Sequence, residues 1–208
     1  MEDGSLITPL QPEDIESAVD LHMRYLTERL SGEPGRRLLR LFYAALCQGS
    51  KGVCLVCRDE SGNNLDGMVV LRWNGRRLLW DLLRQHPVEV GFWLACHILQ
   101  NPLSLYPLAR QLWERRPVNN LLRGFPDNPH YCILHALIVV PNRQLGGVGN
   151  RLIQAAFSYA LAHGFKYMFT STYETNQTAD HLYEKVGFKL LLTTSERGRI
   201  VKWYGRHL

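Results

Sequence analysis

Nine consecutive residues, Cys132 to Val140 (CILHALIVV), are apolar but for one histidine, and the run stops at Pro141. Such a segment reads as a central strand buried on both faces, which requires helices on either side of its sheet. Proline then ends the strand because it has no N–H to give to a ladder. The next residues are Asn142-Arg143-Gln144-Leu145-Gly146-Gly147-Val148-Gly149-Asn150-Arg151. After them Val148, Leu152, Ala155, Ala156, Tyr159 and Ala162 recur at helical spacing up to His163-Gly164.

A glycine-dense turn between a buried strand and a helix start aims several backbone N–H groups at one point. The helix dipole makes that point attractive to an anion, so the segment reads as a phosphate cradle. Glycine serves it twice: a Cβ would keep phosphate oxygens from the amides, and some loop positions need positive φ. Each dipole contribution is about 0.3–1 kcal/mol, so several amides and a basic side chain must act together. Arg143 and Arg151 are the candidates for that side chain.

Two other phosphate loops are excluded. A P-loop needs Gly-Lys followed by Ser or Thr, whereas Gly149 precedes Asn150. A dinucleotide-binding turn needs a third small residue, but Gly147-Val148-Gly149 runs into Asn150-Arg151-Leu152. The segment instead resembles the pyrophosphate loop of the GCN5-related N-acetyltransferase (GNAT) superfamily, Gln/Arg-x-x-Gly-x-Gly/Ala, through Gln144-x-x-Gly147-x-Gly149. A second element follows in the right order. Residues 176–188 (NQTADHLYEKVGF) resemble the N-x-x-A-x-x-L-Y-x-x-x-G-F segment of these enzymes.

The second element is physically coherent. Asn176 suits an N-cap, Ala179, Leu182, Tyr183 and Val186 share one helical face, and Gly187 ends the helix before the Phe188 strand. Tyr183 therefore faces inward.

The resemblance implies an α/β chain with the GNAT fold: a central mixed, twisted sheet flanked by helices. It further implies acetyl-CoA as acyl donor, no metal, and direct transfer to a primary amine without a covalent enzyme intermediate. The strands before the two helices, 133–140 and 166–172, would splay apart. Pantetheine would pair with free backbone near Ile138, Val139 and Val140, with an oxyanion donor around Val139. Cofactor contacts fall on Gln144, Leu145, Gly146, Gly147, Val148, Gly149, Asn150, Arg151 and Asn176. Tyr183 would protonate the leaving thiolate.

A primary amine is almost wholly protonated at neutral pH, so a base is required. The family often has a Glu a few residues before the proline; this chain has His135, a residue suited to proton transfer near pH 7. A histidine in a buried strand also serves as a plain structural residue. Glu174, after the later strand, is the second candidate. The missing Glu keeps open a different class of function, a non-catalytic acetyl-CoA-binding sensor or scaffold.

The remainder of the chain is read as one acetyltransferase domain, 1–208, with a helical insert at 76–129 before the acetyl-CoA-binding core at 130–190. A short strand is expected at 6–10 and a helix from Pro12 to about Arg29. A second helix should follow the Gly32–Gly35 break, and then a hairpin of strands 53–58 and 66–73. The insert carries Trp80, Phe92, Trp93 and Trp113 among prolines, which fits an active-site cap, a homodimer surface, peripheral membrane contact or an extra helical layer.

Net charge is +5, a mild excess that suits a phosphorylated ligand, and the arginines are too dispersed to predict nucleic acid as a partner. The five cysteines lie mostly in apolar runs, so buried thiols are expected, Cys54 and Cys57 of the CxxC included. The first residues lack the basic and apolar regions of a signal peptide, and the expected compartment is the cytoplasm.

Overall fold

The computed structural model describes residues 6–26, 32–49, 52–59, 61–62, 64–73, 84, 86–100, 130–196 and 198–208. In chain order these form β1 (Ile7–Pro9), a 3-10 turn (Pro12–Asp14), α1 (Ile15–Tyr25), α2 (Gly32–Cys47), β2 (Gly52–Arg58) and β3 (Leu65–Arg72). Then come α3 (Pro87–Gln100), β4 (Tyr131–Val139), a 3-10 segment (Pro141–Gly146), α4 (Val148–Ala162), β5 (Tyr167–Tyr173), α5 (Gln177–Lys185), β6 (Lys189–Glu196) and β7 (Arg199–His207). The seven strands make one sheet in the order β1-β2-β3-β4-β5-β7-β6. All neighbours run antiparallel except β4 and β5.

Strand alternation builds two cores. On one face Val53, Leu55, Val69 and Leu71 pack against Leu152, Ile153 and Ala156 of α4 and against Tyr183 of α5. On the other, Cys54, Val56, Met68 and Val70 pack against Ala18 and Val19 of α1 and Leu39, Tyr43 and Leu46 of α2. Helices on both faces explain why β2 and β3 read as unbroken apolar runs. The same alternation puts Cys54 and Cys57 in different cores, so the CxxC residues point away from each other.

Where β3 runs beside β4 and beneath α4 there is no room for a side chain: a Cβ at Gly67 would lie 2.7 Å from the Ile138 carbonyl of β4 and 3.0 Å from the Leu152 side chain of α4. Asp14 ties the start of α1 to the sheet, its two oxygens taking Arg58 Nη1 at 2.8 Å and Nη2 at 2.5 Å.

Three expectations change. The first helix ends at Tyr25 rather than near Arg29, and residues 27–31 lie outside the described ones. The second helix already begins at Gly32 and runs through Pro34 and Gly35, because proline in a first turn has no intrahelical N–H bond to lose. And β4 is not buried evenly on both faces, for a reason that bears on the site below. Of the insert, α3 is helical as expected, with Val88, Phe92 and Leu99 exposed. Trp80 and Trp113 lie outside the described residues, as does the side chain of Trp93. Among the described residues no helix is long and apolar enough to cross a membrane.

Candidate active site

The parallel pairing of β4 with β5 covers only Tyr131↔Tyr167, Cys132↔Met168 and Ile133↔Phe169. Past those pairs β5 keeps its bonds to β7 through Tyr173, and β4 keeps its bonds to β3 through Val139. The two strands therefore part, and a gap opens between them from Leu134 onward. At its vertex the buried Thr170 hydroxyl donates to the Leu134 carbonyl at 3.1 Å.

One residue into the gap, the β3–β4 register shifts: Val70 opposes Ala136 and Leu71 opposes Leu134, so His135 is the extra residue of a β-bulge. The bulge turns the strand over. Cys132 and Leu134 belong to the α4 core, whereas Ala136 and Ile138 belong to the α1–α2 core. His135 is exposed, with its ring 6.0 Å from that of Phe42 on α2. This corrects the expectation of a histidine inside a buried strand.

The bulge also sets which backbone groups face the gap. Val140 N–H donates to the Asp66 carbonyl at 2.9 Å, so Val140 and, two residues back, Ile138 bond toward β3. Leu137 and Val139 then direct their N–H and C=O groups into the gap. Of the three residues expected there, Val139 alone offers its backbone; Leu137 was not foreseen, because its phase depends on the bulge.

At the far end of β4 the chain enters the 3-10 segment, and Gly147 follows with φ 77° and ψ 4° as the N-cap of α4. The first helical bond is Arg151 N–H to the Gly147 carbonyl at 3.0 Å, which leaves the amides of Val148, Gly149 and Asn150 without intrahelical partners. Gly146 and Gly147 are exposed, and a Cβ at either would meet no protein atom within 4 Å. The cradle is open on the side where a phosphate would approach.

Gln144 Nε2 donates to the Val139 carbonyl at 3.2 Å, bracing the loop against the strand. Arg143 forms an ion pair with Asp66 at 3.3 Å, tying the loop to β3, and Arg151 is half-buried in the first turn. The Leu145 side chain lies outside the described residues.

On α5, Asn176 Oδ1 accepts from Ala179 N–H at 3.1 Å, the cap expected from sequence. Tyr183 is 5% exposed, held by the rings of Phe188 at 5.6 Å and Tyr204 at 5.7 Å. Burial raises its pKa, a hydrogen bond with the Thr170 side chain lowers it, and nearby Asp180 raises it. Asp180 itself holds Lys202 Nζ at 2.6 Å and the Tyr204 hydroxyl at 2.9 Å. Glu174 stands exposed just past β5, its N–H bonded to the Ile200 carbonyl. The Cys132 thiol is buried and its pKa pushed up to about 12, which disfavours a thiolate nucleophile.

Sequence reading and structure agree on the loop, the splay and the inward tyrosine. The structure adds Thr170, Leu137 and the bulge. It also separates the candidate groups by face: His135 stands beside α2, Tyr183 beside α4 and α5, with the gap between.

Residues 111–188 match the family model for the Acetyltransferase (GNAT) family. No curated protein matches the chain. Solved structures similar to it include Arabidopsis thaliana NAA60 in complex with acetyl-CoA, at 13% identity over 98% of each chain and a TM-score of 0.63. An N-acetyltransferase from Staphylococcus aureus Mu50 gives 13%, 98% of each chain and 0.63. An acetyltransferase of the GNAT family from Streptococcus pneumoniae gives 17%, 98% of each chain and 0.59. At such identities these structures speak for the fold. The described residues have the GNAT fold, and residues 111–188 of the chain match the family model of the GNAT acetyltransferases.

Proposed function

We propose that the protein is an N-acetyltransferase that moves acetyl from acetyl-CoA directly to a primary amine. The observation that carries this reading is the gap itself: an open glycine cradle at one end, inward-facing backbone of β4 along its length, and a buried tyrosine, Tyr183, in the core on its α4–α5 side.

Acetyl-CoA, when bound, supplies an activated thioester. The amides of Val148, Gly149 and Asn150 suit its pyrophosphate, and Gln144 and Asn176 order the chain around it. The N–H groups of Leu137 and Val139 are the donors for the extended pantetheine and for the oxyanion at the reacting carbon. His135 takes the amine proton on the α2 side of the sheet. Tyr183 gives a proton to sulfur on the α5 side as the C–S bond breaks. Entry of the nucleophile and exit of the leaving group on opposite faces suits direct displacement through one gap.

The test is release of free thiol from acetyl-CoA in the presence of a panel of primary amines. Tyr183→Phe is expected to lower kcat by about 10²-fold or more with little change in KM for acetyl-CoA. His135→Ala should lower kcat most below pH 8 and be relieved at higher pH, where the amine deprotonates unaided. Unchanged rates in both variants would remove the assigned roles. Acetyl-CoA binding by calorimetry, with no amine acetylated, would instead make the protein a sensor or scaffold.

A further inference from the structure

Gln144 spends its side chain on a group that a ligand in the gap would need. Its Nε2 donates to the Val139 carbonyl at 3.2 Å, and Val139 is the last residue of β4, with its backbone turned into the gap. The neighbouring strand β5 does not reach that carbonyl, because the parallel pairing stops at Ile133↔Phe169. The last gap-facing acceptor of β4 is therefore satisfied by the chain's own carboxamide.

The donor is of the same chemical kind as the ligand. Pantetheine carries two amide N–H groups on an extended arm, and glutamine presents an amide N–H to Val139. An extended arm that adds to a free strand edge binds through the backbone N–H and C=O groups of that edge. It needs the carbonyl that Gln144 holds. The surroundings make an exchange easy. Gln144 is exposed, so its carboxamide can turn into water. The backbone beside it is fixed separately by Asp66, whose carbonyl takes Val140 N–H at 2.9 Å and whose carboxylate holds Arg143 at 3.3 Å. Rotation of one side chain frees the acceptor while the glycine loop keeps its place.

We propose that Gln144 is a placeholder, whose carboxamide occupies the Val139 carbonyl until an amide N–H of the pantetheine arm takes it over. This rests on the reading of the gap as the acetyl-CoA site. The exchange trades one N–H···O=C bond for another, so the arm gains no net bond at Val139 while Gln144 competes. Removing the Gln144 side chain lifts that competition, and one intramolecular hydrogen bond shifts such an equilibrium by about 2- to 10-fold. A carbonyl has two lone pairs, so the alternative is that Gln144 and the arm share Val139. The two arrangements predict opposite signs, because loss of a sharing or bracing side chain cannot tighten binding of the arm.

The experiment titrates nitrogen-15-labelled full-length protein with S-acetylpantetheine, ADP and acetyl-CoA. It follows the Gln144 side-chain amide by NMR, the signal being assigned by its loss in Gln144→Ala. S-acetylpantetheine has the arm without the pyrophosphate, and ADP has the pyrophosphate without the arm. In the wild type the amide signal should move toward that of a solvated glutamine with S-acetylpantetheine and with acetyl-CoA, and stay in place with ADP. Gln144→Ala should bind S-acetylpantetheine about 2- to 10-fold tighter than wild type and ADP equally well. Unchanged or weaker binding of S-acetylpantetheine by the folded variant overturns the proposal. So does a wild-type amide that stays on Val139 with acetyl-CoA bound, a result that needs no variant. Failure of the wild type to bind acetyl-CoA in calorimetry would instead remove the reading of the gap, and the placeholder with it.

Discussion

Gly147 has φ 77° and caps α4 at the point where the cradle amides converge. The left-handed region costs an L-residue roughly 1–2 kcal/mol, so Gly147→Ala should destabilise the fold by about that amount. Its methyl would meet no protein atom, which means that any added loss falls on the ligand. We expect acetyl-CoA affinity by calorimetry to weaken about tenfold or more, beyond what the melting temperature explains. An unchanged affinity would mean that phosphate does not approach these amides. Gly147 was legible from sequence because its role is local, set by the residues beside it. Thr170 was not: its bond to the Leu134 carbonyl depends on the register that puts it just beyond Phe169. His135 was found, but as a buried residue, because the extra residue in β4 shows only against Val70 and Leu71 of β3.

Among the elements, α5 couples the Asn176 cap at one end to Tyr183 near the other. Its inward residues Ala179, Leu182, Tyr183 and Val186 contact the α4-side core, and at its C-terminus Gly187 turns with φ 87° while Arg206 Nη1 donates to the Val186 carbonyl. Nine residues make a helix that is marginal without its ends. Asn176→Ala should therefore cost about 1 kcal/mol. It should also speed amide hydrogen exchange across 177–185 more than across α4, and lower kcat through looser placement of Tyr183. Equal exchange in the two helices would show that tertiary packing alone holds α5. This helix, α4 and the β2–β3 hairpin were legible because periodicity and end signals agree in each. The start of α2 was not, since Gly32, Pro34 and Gly35 read as a break and are held helical by packing on α1, with Arg36 and Arg40 reaching Glu16.

At the scale of the molecule the sheet separates two cores with different work. The α4–α5 side carries the glycine loop and Tyr183; the α1–α2 side closes the other face with a polar pair inside it, His22 Nδ1 at 2.9 Å from the hydroxyl of the fully buried Tyr43. Burial pulls the His22 pKa down from 6.5 to about 4. The ring is therefore neutral in the folded chain at pH values where the unfolded chain already binds a proton. Stability from this site is complete above pH 6.5 and is lost as the pH falls toward 4, the unfolded state taking up the extra proton. By pH 5 the loss is about 2 kcal/mol. Glu16, whose carboxyl is held below its usual 4.5 chiefly by Arg40, loses its contribution only at still lower pH, so the window above belongs to His22. Urea midpoints measured at pH 7.5 and pH 5 should differ by that amount in the wild type. In His22→Gln, which has no ring to protonate, the difference should shrink toward zero while stability at pH 7.5 drops from the altered contact with Tyr43. If the variant keeps the wild-type pH dependence, the acid sensitivity of this chain comes from other groups. If it loses it, the α1–α2 core is the part that acid opens first.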